Sequence, residues 1–146
     1  MNSWKYADKM KYLNPIDDEF FKKMAEDKNF CQEVLRIVME DPALTVQELI
    51  PQNSVKNLQG RSVVLDSFCK TSDNQHCNIE VQKENDDDHL RRIRYNGSCI
   101  TVNITNTGSK FKQVPDVCVI FISRSDIFKG NHPLYHVDSV IRETGE

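Results

Sequence analysis

The sequence predicts a mixed α/β domain in which helices pack against a small mixed β-sheet. Three observations carry that prediction. Apolar side chains recur at helical spacing between Asp17 and Met39. Gly60 to Lys83 reads as a strand, a polar turn and a returning strand. Val117 to Ile122 is a nearly continuous apolar run, the pattern of a strand covered on both faces. At 146 residues the chain suffices for one domain with a core of its own and falls short of two.

Residues 1–15 carry Trp4, Tyr6, Met10, Tyr12 and Leu13 among lysines and end at Asn14-Pro15. They read as an N-terminal arm stopped by the proline, with the domain proper over 16–146. From Asp17 the chain turns helical: Phe20, Phe21 and Met24 share a face, and Asp17, Asp18 and Glu19 stand at the end of the helix macrodipole that favours negative charge. A second helix is predicted over Asn29 to Met39, with Phe30, Val34, Ile37 and Val38 inward and Asp41-Pro42 ending it. Leu44 to Ile50 alternates imperfectly and is expected as a first strand. Gln52 to Gly60, polar and closing on glycine, is expected as a connection.

The hairpin follows. Val63, Val64 and Leu65 lead into Asp66 and Phe68, Ser72 to Gln75 supply the turn, and Cys77 to Lys83 return. Alternation puts Glu80 and Gln82 on one face and Ile79, Val81 and Lys83 on the other. A register that sets Asp66 against Glu80 or Gln82 gathers two carboxylates and an amide on one side. Two carboxylates so placed repel, and a hard divalent cation with oxygen ligands relieves the repulsion. Short acidic patterns also recur by chance, so spacing alone favours the wet face of an ordinary hairpin over a metal site.

Asp86, Asp87 and Asp88 suit a helix start, and Leu90, Ile93, Gly97, Ile100 and Ile104 then define an apolar face. Gly97 costs a helix about 1 kcal/mol relative to alanine, which suggests that it permits close packing on the sheet. Arg91, Arg92 and Arg94 lie on the opposite side, and by spacing alone they form a solvated face paired with the preceding aspartates. Asn106 to Gly108 should end this helix. The run Val117 to Ile122 is expected at the centre of the sheet, Asp126 to Pro133 as a loop, and Leu134 to Val137 as a short last strand. His132 and His136 are separated by Pro133, which breaks the helix that would align them on a metal.

Composition narrows the function classes. The chain is 38% hydrophobic and 28% charged, with a formal charge of −3, and no apolar run approaches the ~18 residues of a membrane span. Its first residues lack the apolar core of a signal peptide, so a cytoplasmic location is expected. Five cysteines, Cys31, Cys69, Cys77, Cys99 and Cys118, show no CxxC spacing and fit buried, reduced thiols, although Cys69 and Cys77 could face each other across the hairpin. A net negative charge does not itself suggest nucleic acid, but carboxylates of a metal site and a local basic stripe reconcile the two.

Taken together, Asp18-Glu19-Phe20-Phe21-Lys22-Lys23, Val64-Leu65-Asp66, Asn78-Ile79-Glu80-Val81-Gln82, Arg92-Ile93-Arg94-Tyr95, Val117 to Ile122 and Pro133-Leu134-Tyr135 resemble the PD-(D/E)XK nuclease family transposases. These are bacterial proteins also called Rpn-type recombination-promoting nucleases. The resemblance covers roughly Ile16 to Val137. It implies a restriction-endonuclease-like core and cleavage of DNA that depends on Mg²⁺ or Mn²⁺.

Carried over residue by residue, it implies Asp66, Glu80 and Gln82 as catalytic residues, with Gln82 where many relatives have lysine. The metal ligands implied are Asp66, Glu80 and the Val81 carbonyl, with Asp18 of the first helix as a further candidate. Lys22, Arg92, Arg94 and Tyr95 are implied in DNA binding. An amide lacks the charge of lysine, so stabilisation of the transition state falls to the metal or to an arginine such as Arg92. Lys83 points to the other face and cannot stand in. Double-strand cleavage by so small a domain implies a homodimer or two binding events. Relatives usually continue past the position of Glu146, which implies a shortened chain. The rival expectation is a catalytically inactive DNA-binding or oligomerisation module that retains the fold.

Overall fold

The computed structural model describes residues 16–56, 60, 63–82 and 88–145, with Asp18 described by its backbone alone. The expected arm over 1–15, Lys83, Asp86 and Asp87 lie outside the described residues. The elements in order are α1 (Asp18–Met24), α2 (Lys28–Val38), β1 (Val46–Val55), β2 (Val63–Thr71), β3 (His76–Gln82), α3 (His89–Ile104), a 3₁₀ turn (Phe111–Gln113) and β4 (Val117–Ser123).

The four strands form one sheet in the order β1-β2-β3-β4. The first two pairings are antiparallel and β3 with β4 is parallel. A parallel neighbour needs a crossover, and α3 provides it, so β3, α3 and β4 make one βαβ unit. Helices cover both faces. Phe21 and Ala25 of the α1 segment and Cys31 and Leu35 of α2 pack with Cys69, Cys77, Ile79, Val81 and Ile120 on one face. Cys99 and Ile100 of α3 pack with Leu65 and Phe68 on the other.

Local chemistry accounts for the helix starts. Asp27 caps α2 by accepting from the Phe30 N–H, and Asp88 caps α3 by accepting from the Arg91 N–H, each at 3.0 Å. Among the expected inward residues of α2, Ile37 is 72% exposed. Leu35 and Cys31 centre the buried stripe, and a residue two places beyond Leu35 points about 200° away from it. On α3, Leu90 is likewise exposed at 48%, while His89, Asn96, Cys99 and Ile100 are buried.

The first strand is longer than expected. Its pairing with β2 continues to Val55, so residues 52–55 are strand and not connection. Sequence alternation is weak there because β1 is an edge strand with much of its surface in water. Pro51 is tolerated for the same reason. Gln52 has φ of 50° and occupies the rung skipped between Pro51↔Ser67 and Asn53↔Leu65, directly across from Asp66.

The run Val117 to Ile122 is not central. Among the described residues β4 is the outer strand beyond β3, and most of it is half-buried. Both of its faces are covered, by Val117 and Val119 toward α3 and by Cys118, Ile120 and Ile122 toward the other layer, and that coverage is what the apolar run records. Beyond Ser123 the described residues contain no strand, and Leu134 and Val137 are exposed. Tyr135 instead closes a loop around Asp126, whose carboxylate accepts from the Tyr135 hydroxyl and from the N–H groups of Phe128, Lys129 and Asn131.

The cysteines are free, and Cys69 and Cys77 do sit opposite each other as buried thiols. Gly97 faces β4 as expected, yet a Cβ there would meet Val119 Cγ2 at 3.5 Å, an ordinary contact. Close packing therefore does not demand glycine. Gly97→Ala is expected to stabilise the protein by up to about 1 kcal/mol, measured by urea denaturation; a lower midpoint would show that α3 cannot spare the space.

Candidate active site

The β2–β3 register runs Lys70↔His76 to Ser67↔Ile79 and ends there, next to Asp66 and Glu80. At that point the ladder changes character. The Asp66 carboxylate, through Oδ2, accepts the Val81 N–H at 3.2 Å, so a side chain takes a bond that a strand backbone would otherwise make. Together with the left-handed Gln52 on its other flank, this marks Asp66 as the point where β2 is locally distorted.

Alternation along β3 places Asn78, Glu80 and Gln82 under α3, while Ile79 and Val81 enter the opposite core. α3 follows β3 and runs back over it. Arg92 Nη1 donates to Gln82 Oε1 at 3.0 Å, and Asn96 Nδ2 donates to Glu80 Oε1 at 2.7 Å. Four residues of helix rise about 6 Å, and two residues of strand advance about 6.7 Å, so positions 92 and 96 match 82 and 80.

Glu80 is only 3% exposed. Its Oε1 accepts from both Asn78 Nδ2, at 2.8 Å, and Asn96 Nδ2, whereas Oε2 is buried with no hydrogen bond. Burial pushes its carboxyl above the ordinary range, and the neighbouring Asp66 charge adds to the rise. The Asn78 amide, Arg92 and Asn96 oppose that rise. Such a buried carboxylate beside a second one is the kind of group found at functional sites.

These oxygens suit a hard cation. Carboxylate oxygens are the donors such an ion takes, and Glu80 Oε2 is a buried oxygen without a hydrogen bond. Among the described residues no three His, Cys, Asp or Glu side chains cluster to hold a metal. One or two carboxylates are what Mg²⁺ usually takes from protein, because it keeps several waters.

A model of the PD-(D/E)XK nuclease family transposases matches residues 15–146. The chain belongs to this family. Its mixed four-stranded sheet flanked by helices is accordingly a restriction-endonuclease-like α/β core. No curated protein and no solved structure matches the chain.

Of the residues expected from resemblance to the PD-(D/E)XK nucleases, the structure brings Asp66, Glu80, Gln82 and Arg92 together. Arg94 is exposed on α3, and Tyr95 is partly buried against the core cluster under that helix. Asp18 and Lys22 lie on α1, which packs on the face of β3 opposite Glu80. Arg91 does pair with Asp88, Nε to Oδ2 at 3.3 Å, as a solvated arginine would. Among the described residues Arg92 donates to Gln82.

Sequence reading missed Asn78 and Asn96. The two-residue alternation that selected Glu80 and Gln82 extends back to Asn78 and could have found it. Asn96 stands four residues after Arg92, but its importance depends on α3 lying antiparallel over β3, which no local pattern announces. No described helix is long and apolar enough to cross a membrane.

Proposed function

We propose that this chain is a divalent-metal-dependent DNA endonuclease of the recombination-promoting type, hydrolysing phosphodiester bonds in the cytoplasm. Family membership supplies the nuclease class. The single observation that carries the metal dependence is Glu80, a carboxylate buried against Asp66 with one oxygen held by two amides and the other unpartnered. A module that only held DNA or oligomerised would gain nothing from an acid buried at such expense.

Asp66 and Glu80, with the Val81 carbonyl, would hold Mg²⁺ or Mn²⁺. When bound, such an ion polarises the scissile phosphate and lowers the pKa of an attacking water. The chain's own groups do the positioning. The Val81 N–H fixes Asp66 at the strand break, and Arg92 fixes the Gln82 amide by holding its carbonyl oxygen, which leaves the amide N–H groups to orient a phosphate oxygen or water. The Arg92 guanidinium brings to this rim the positive charge that Gln82 lacks. Arg94 would bind the phosphate backbone irrespective of sequence, with Tyr95 fixing the helix that carries it, while Lys22, on the opposite face of the sheet, could reach only phosphates away from the site. Cutting both strands would require two copies, in a homodimer or in successive encounters.

The test is cleavage of supercoiled plasmid by the purified chain with Mg²⁺ or Mn²⁺. Nicking or linearisation is expected with either ion and not in EDTA. Cleavage that persists in EDTA, or fails with both ions at every enzyme concentration, would refute the reading.

A further inference from the structure

Both amides that reach Glu80 bond the same oxygen. Asn78 donates from β3 itself and Asn96 from α3, at 2.8 and 2.7 Å, both to Oε1. Asn78 makes its bond at a cost, because its own Oδ1 is left buried without a hydrogen bond. Turned the other way, that amide would set Oδ1 against the carboxylate, two acceptors face to face. Asn96 is itself buried, so neither donor has bulk water as an alternative partner.

We propose that Asn78 and Asn96 are positioning residues that hold Glu80 by Oε1 and so present Oε2 to the divalent cation. The inference rests on the metal-dependent reading above. Hydrogen bonds to a ligating carboxylate fix its rotamer and decide which lone pairs face the ion. Two neutral donors do this without adding a positive charge that would compete with the ion for the carboxylate. With both amide donors on Oε1, Oε2 is the carboxylate oxygen left to face an ion.

Isothermal titration of Mn²⁺ into the full chain tests this, with wild type, Asn96→Ala, Asn96→Ser and Glu80→Gln compared. Mn²⁺ affinity is expected to fall roughly 10–100-fold in both Asn96 variants, the usual effect of removing an outer partner of a metal ligand. The rise in thermal midpoint that Mn²⁺ gives wild type should shrink with it. Asn96→Ser retains a polar side chain too short to reach Glu80 and serves where alanine prevents folding. A purely structural asparagine would lower the midpoint equally with and without Mn²⁺ and leave affinity within about two-fold of wild type. That result, with binding still lost in Glu80→Gln, would overturn the positioning role and leave the nuclease reading intact. No binding of Mn²⁺ by wild type would overturn both.

Discussion

Glu80→Gln is expected to reduce plasmid cleavage by about 10³-fold or more, and to make the metal-free protein more stable than wild type at neutral pH. The two effects share one cause. Glutamine keeps an Oε1 acceptor for Asn78 and Asn96 but carries no charge to bind a cation. It also relieves the fold of a charge buried at 3% exposure beside Asp66. Because the folded-state pKa of Glu80 is raised, its contribution to stability is intact below the unfolded carboxylate value, about 4.3. That contribution is lost as pH rises through the higher folded value. The advantage of the glutamine variant should therefore be largest at neutral pH and close as the pH falls. Thermal melts of both proteins in EDTA between these limits measure it. Equal midpoints throughout, or cleavage at the wild-type rate, would remove Glu80 from the role given to it.

Asp66→Asn is expected to abolish cleavage to the same background while leaving the fold in place. An asparagine oxygen can still accept the Val81 N–H, so the strand break survives and only the charge is lost. Asp66→Ala should lose cleavage equally and in addition leave the Val81 N–H unanswered, at a cost of about 1–3 kcal/mol. Urea denaturation of the pair separates the two contributions. An asparagine variant that cuts plasmid as well as wild type would show that the Asp66 carboxylate serves the hairpin alone.

Much of the fold was legible where one pattern governs one element. The hairpin, the helix over Lys28–Val38 and the later helix followed by an apolar strand follow from alternation, helical spacing and an apolar run. The misreadings have a common physical origin. Val117 to Ile122 records that both faces of β4 are covered, and coverage is silent about how many strands flank it. Residues 52–54 are polar and still strand, because an edge strand is held by backbone pairing to β2. Leu134 to Val137 looked like a strand by its own residues, and Asp126 recruited Tyr135 into a loop. At the site, alternation along β3 made Glu80 and Gln82 readable as one face, whereas Asp66 sits where the period of β2 breaks, and the roles expected of all three came from the family resemblance. Asn96 was not readable, because its role depends on contact between a helix and a strand.

That contact couples the two ends of the site. Arg92 and Asn96 ride on one rigid helix and grip Gln82 and Glu80 of one strand, so they cannot be released one at a time by a movement of α3 along its axis. A slide of one helical turn, about 5.4 Å, would take Arg92 to the level of Asn96 and break both bonds together. The helix is thus a single latch on Gln82 and Glu80 alike. Its outer surface, where Arg91 and Arg94 lie, is exposed.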